Sequence, residues 1–159
     1  MGRFNRYLLA LAVLIFFVPF AQAQELDGTW KLVMRKLPNG TTVKPPAVLG
    51  AYTIYHGLQN LNVFWQTPEG KAASYARVST YKMSDTDYSE TALFIAFDDG
   101  SGKPPTYNLT GNTETKPVTR QGSRIAFQQP FGEPSAVFEG DTFTATLEGQ
   151  FVDYWERVH

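Results

Sequence analysis

Residues 28–34 read Gly28-Thr29-Trp30-Lys31-Leu32-Val33-Met34. A residue suited to a turn is followed by a large ring and then by alternation. Trp30, Leu32 and Met34 share one parity, and Thr29, Lys31 and Val33 share the other. A strand points successive side chains to opposite faces, so this period of two predicts a strand with one face in a core. A tryptophan opening such a strand is placed to plug one end of a barrel, with its indole N–H within reach of a backbone carbonyl.

The same rhythm continues through the chain. Phe143, Ala145 and Leu147 alternate with Thr142, Thr144 and Thr146, and Ile125 and Phe127 flank Ala126. Turn residues divide these runs: Thr67-Pro68-Glu69-Gly70-Lys71, Ser84-Asp85-Thr86-Asp87, Glu139-Gly140-Asp141 and Glu148-Gly149-Gln150, with a longer polar loop from Asp98 to Pro105. Strands are expected at 28–35, 49–56, 60–67, 71–83, 88–98, 105–115, 123–129, 135–139, 142–148 and 151–158. Residues 36–48 are the one long connection. No stretch after residue 28 has the apolar period of a helix. Successive short strands joined by tight turns form a meander, and a sheet of this size must curl or split to remove its edges. The expectation is an all-β, antiparallel up-and-down barrel of about 8–10 strands, with a two-sheet sandwich as the rival.

Residues 1–23 read differently. Arg3 and Arg6 precede a 14-residue apolar run, Tyr7 to Phe20, and Ala21-Gln22-Ala23 forms an A-x-A pattern. That is the pattern of a cleaved signal peptide, and the run is shorter than the ~20 residues that span a bilayer as a helix. The expected mature chain is a single domain, 24–159, exported to a periplasmic or secreted location, with no integral membrane segment after cleavage. Loss of the two arginines would move the net charge from −1 to −3. A mildly acidic chain with scattered charges does not suit nucleic acid. The sequence contains no cysteine, so disulfides cannot hold it together.

Leu26-Asp27-Gly28-Thr29-Trp30-Lys31-Leu32-Val33, close to the expected mature N-terminus, is similar to small secreted bacterial lipocalin-like domains, in which Gly-x-Trp opens the first strand. The resemblance implies a closed barrel that binds a small hydrophobic or amphipathic molecule. It further implies that Gly28, Trp30 and Arg157 close the barrel, because an Arg near the end of the last strand packs across the Trp in that family. The late helix and the disulfide of the larger lipocalins have no counterpart in the sequence.

Aromatic residues on the predicted strands are the candidate cavity lining: Tyr55, Phe64, Tyr75, Tyr81 and Phe94 with Arg77 as a polar contact. Tyr75, Arg77, Ser79 and Tyr81 share one face. If that face points inward, Arg77 could take a carboxylate or phosphate between phenols. If it points outward, Ala76 and Val78 supply the interior. Residues 88–97 are apolar on both parities, which suits a strand covered on its outer side by the 36–48 connection or by a partner chain, so monomer and homodimer both remain open.

No catalytic or metal site is expected, and no cofactor. His56 and His159 are the only histidines, too few for a Cys/His zinc site. Ser123 lacks the strand–turn–helix scaffold of a nucleophile elbow. The expected function is non-enzymatic binding of a small molecule. The alternatives are a filled barrel serving structure or protein interaction, and a small isomerase- or cyclase-type enzyme, since a barrel alone does not set function.

Overall fold

The computed structural model describes residues 25–159, and the expected signal peptide, 1–23, lies outside the described residues. The strands are β1 (Gly28–Lys36), β2 (Thr42–Val43), β3 (Val48–Tyr55), β4 (Leu58–Gln66), β5 (Ala72–Met83) and β6 (Asp87–Asp98). They continue with β7 (Thr106–Asn108), β8 (Thr113–Gln121), β9 (Arg124–Gln128), β10 (Ser135–Glu139), β11 (Thr142–Leu147) and β12 (Phe151–Val158). All pairings are antiparallel, wall strands pair with their neighbours in sequence, and β12 pairs back with β1 to close the wall. This is an up-and-down barrel, and closure removes both sheet edges. The two short strands are accessories: β2 extends the pairing of β1, and β7 that of β6.

One end is plugged. Trp30 is fully buried, and its Nε1–H donates to the Leu26 carbonyl at 3.3 Å. The Arg157 guanidinium lies 4.2 Å from the Trp30 ring centre and donates to the Asp27 carbonyl. Gly28 has φ +149°, and a Cβ there would run into the Arg157 guanidinium. The hairpin His56-Gly57 closes over the same end with φ of 49° and 81°, the pairing of a two-residue type I′ turn. The His56 amide donates to Asp27.

From this plug an aromatic series climbs around the interior: Tyr81, Tyr88, Phe127, Phe138, Phe143 and Trp155, each ring 4.2 to 5.9 Å from the next. Each comes from a different strand, so the series joins both sides of the barrel by burial of large apolar area.

Two β-bulges break the simple parity. In β1, Leu32 faces Trp155 and Met34 faces Tyr154, so Val33 is an extra residue. Beyond it Arg35, rather than Met34, is buried and paired with the inward Asp153, which corrects the expected run of Trp30, Leu32 and Met34 on one face. In β6, Leu93 is the extra residue opposite Val78/Ser79. Thus Tyr88, Glu90 and Ala92 are buried before the bulge, while Ile95 and Phe97 face the interior after it. Bulges re-aim side chains in this way.

The predicted strand 105–115 is in fact two strands, and β8 runs six residues further, to Gln121. Its more sheltered positions are Glu114, Lys116, Val118 and Arg120, so alternation there carries charge and is not visible as an apolar period. Pro117 sits opposite Asp87 at the end of the β6–β8 ladder, where a missing N–H costs least. The outer neighbour of Phe94 is Tyr107 of β7, with ring centres 6.4 Å apart, whereas the 36–48 connection lies along β1 through β2.

Candidate functional site

Opposite the plug, beneath the β4–β5, β9–β10 and β11–β12 turns, the barrel holds a cavity of about 440 Å³. This lies within the ~300–1,000 Å³ typical of small-molecule sites. Tyr52, Phe143 and Trp155, the last rings of the core, form its floor. Leu61, Val63, Ile95 and Ala145 line its walls. Around the mouth stand Trp65, Phe97, Phe131, Leu147 and Phe151, with Trp65 and Phe97 stacked at 6.3 Å. Gly50 makes room for the floor: a Cβ there would come 2.5 Å from Cη2 of Trp155 and 2.8 Å from Cβ of Leu32.

A polar layer crosses the barrel beside this floor. Arg77, fully buried on β5, points inward. Its Nη1 donates to Glu133, and its Nε lies 3.2 Å from Glu90 Oε1, an ion pair without an aligned hydrogen bond. Ser79 Oγ donates to Glu90 Oε1 at 2.8 Å and Tyr88 Oη to Glu90 Oε2 at 2.7 Å. Tyr52 donates to Gln59 Oε1, and Gln59 Nε2 donates to Tyr88 Oη at 2.7 Å. Tyr75 donates to the second oxygen of Glu133. Buried charges survive only when paired and hydrogen-bonded in this manner.

Glu133 reaches the layer from the β9–β10 connection, residues 129–134. Phe131 and Gly132 have φ of +61° and +76°, which turns the chain so that Glu133 enters the mouth. The connection is tied at 3.2 Å from Gln129 N to the Pro134 carbonyl and at 3.2 Å from Glu133 N to the Pro130 carbonyl. At the rim, Glu114 of β8, opposite the inward Glu90, accepts the Phe131 N–H at 3.0 Å. That N–H, with Lys116 second, holds the Glu114 carboxyl below its ordinary pKa.

A second buried ion pair lies nearer the mouth. Arg35 Nε donates to Asp153 Oδ1 at 2.6 Å and Nη2 to Oδ2 at 2.7 Å, a bidentate fork. The same guanidinium lies 4.0 Å from the Phe151 ring centre.

These groups titrate abnormally. Burial raises the Glu133 pKa, and Arg77 and Tyr75 only partly offset it. Burial raises that of Asp153 against the pull of Arg35. For Arg77 burial works against the charge, but Glu133, Tyr52 and Glu90 more than offset it, so its pKa stands well above the ordinary value. Burial likewise raises the phenols Tyr52, Tyr75 and Tyr88. All three phenols are therefore protonated at neutral pH and act as hydrogen-bond donors.

Of the residues singled out from the sequence, Tyr75 lines the cavity and Arg77 lies immediately behind its wall. Tyr81 is buried at the plugged end, where it donates to Asp27 and stacks on Tyr88. Tyr55 is 62% exposed on the outer surface. Phe64 lines an outer groove with Leu49, Ala51 and Ala76, and Phe94 faces Tyr107 outside. Glu133, Asp153 and Arg35 escaped sequence reading. Glu133 had no local signal, being a loop residue 56 positions from its partner Arg77. The acid at Asp153 in the otherwise apolar and aromatic run 151–155 was the one visible hint.

Among the described residues no group of three His, Asp or Glu side chains could hold a metal ion. The architecture is a closed antiparallel barrel, consistent with calycin-type barrels in general; compared with family models, curated proteins and solved structures, the chain finds no match in any of the three.

Proposed function

We propose that this barrel is a non-enzymatic binding protein for a small hydrophobic or amphipathic molecule, acting as a lipocalin-like domain, residues 24–159, outside the cytoplasm. The observation that carries the binding reading is the cavity itself. It is about 440 Å³, walled by aliphatic and aromatic side chains and bordered by a few fixed polar groups at its floor. A barrel filled only for structure would pack side chains into this space, as protein interiors are close-packed. Export rests on the sequence of residues 1–23, and the lipocalin-like reading on the Gly28-Thr29-Trp30 opening and the closing Arg157. Absence of an enzyme role rests on the chemistry of the lining: each acid facing the cavity is tied to a guanidinium, and none is poised beside a free base.

N-phenyl-1-naphthylamine, uncharged at pH 7, tests the reading. It should bind one molecule per chain with a blue-shifted, enhanced emission. Leu147→Trp, which adds bulk at the mouth away from the buried ion pairs, should weaken that binding at least about tenfold, the loss of about one and a half kcal/mol. No enhancement with the unaltered protein, or equal binding by the variant, would remove the cavity from consideration as the site.

A further inference from the structure

We infer that the ligand carries a cationic, hydrogen-bond-donating head, an aliphatic or aromatic ammonium, and that Glu133 receives it. This rests on the reading of the cavity as a ligand site. Both buried ion pairs at the cavity are oriented alike: Glu133 and Asp153 line it, whereas Arg77 and Arg35 lie behind them and do not. A molecule in the cavity therefore meets carboxylate oxygens, not guanidinium N–H groups. A phenol adds to this polarity. Tyr75 directs its proton to Glu133, so toward the cavity its oxygen acts as an acceptor rather than a donor.

The charge balance points the same way. Among the described residues, the buried charged side chains are Arg35, Arg77, Glu90, Glu133 and Asp153. Asp153 has Arg35 to itself, while Glu90 and Glu133 share the single Arg77. One carboxylate is thus in excess in a low-dielectric interior, and a monovalent cation beside Glu133 restores balance. Burial already raises the Glu133 pKa, as an undercompensated carboxylate requires. Tyr75 beside Glu133 and Phe97 nearer the mouth also line the cavity, and aromatic lining favours a cation over an anion. An anionic head would instead meet Glu133 and Asp153 directly, with Arg77 already committed.

Isothermal titration of the unaltered protein at pH 7 with decylammonium, decanol and decanoate, matched in chain length, tests the inference. Decylammonium should bind at least about tenfold more tightly than decanol, and decanoate more weakly than either. Glu133→Gln should reduce decylammonium affinity at least about tenfold while leaving decanol within about threefold. The ligand series alone decides the matter if that variant does not fold. Equal affinities across the three, or preference for decanoate, would overturn the cationic head while leaving the cavity as a binding site. Failure of all three together with the naphthylamine would overturn the binding reading itself.

Discussion

Arg77 brings a guanidinium to the middle of an apolar barrel, and its neighbours show what that demands. Two carboxylates, a phenol oxygen and the surrounding hydroxyl network take up its charge. Removing the charge without removing its partners leaves Glu90 and Glu133 facing each other. Arg77→Met should therefore cost about 3–5 kcal/mol in urea denaturation, the range for breaking one side of a buried ion pair. Arg77→Met with Glu90→Gln should recover part of that loss, because only one carboxylate then needs a counter-charge. A single variant as stable as the parent would show that the layer is not held by its charges. The alternating face Tyr75, Arg77, Ser79 and Tyr81 was visible from sequence, but its direction was not. Periodicity tells which residues share a face; an inward Arg also needs a partner, and Glu133 lies on a distant loop.

At the scale of elements, legibility followed the apolar content of the inward face. β11 and β9 carry Phe143, Ala145, Ile125 and Phe127 inward, and their alternation was plain. β8 places Glu114, Lys116 and Arg120 at corresponding positions, so the same period carried no hydrophobic signal. The bulges at Val33 and Leu93 were equally silent, since an extra residue changes the face without changing composition. Glu114 illustrates what such an unread element does: it holds the connection carrying Glu133 by accepting the Phe131 N–H. Glu114→Ala should release that amide. Its hydrogen exchange should accelerate at least about tenfold, as expected for a locally opened loop, while amides within β9 and β10 keep their protection. Unchanged exchange at Phe131 would mean that the connection is held by its own internal bonds.

Across the whole molecule, closure makes the buried charges a global matter. With β12 paired to β1 the wall closes on itself, so carboxyls held inside it take their shifted protonation from the folded barrel as a whole and link it to global stability. Glu133 and Asp153 both have pKa values raised by burial above those they have in the unfolded chain. Between the unfolded and folded values the native state holds more protons, so their contribution is fully present below the unfolded pKa. It is lost as pH rises through the folded pKa. Surface acids such as Glu114 and Asp99, whose pKa values are lowered, act in the opposite sense, so the buried share is isolated by difference. The stability of the parent relative to Glu133→Gln, from urea midpoints between about pH 4 and pH 8, should fall as pH rises from the ordinary carboxylate range, about 4.3. It should level off once Glu133 is fully ionised. A difference that rises over this range would mean that Arg77 and Tyr75 outweigh burial and stabilise the ionised form, reversing the direction assigned to the central carboxylate.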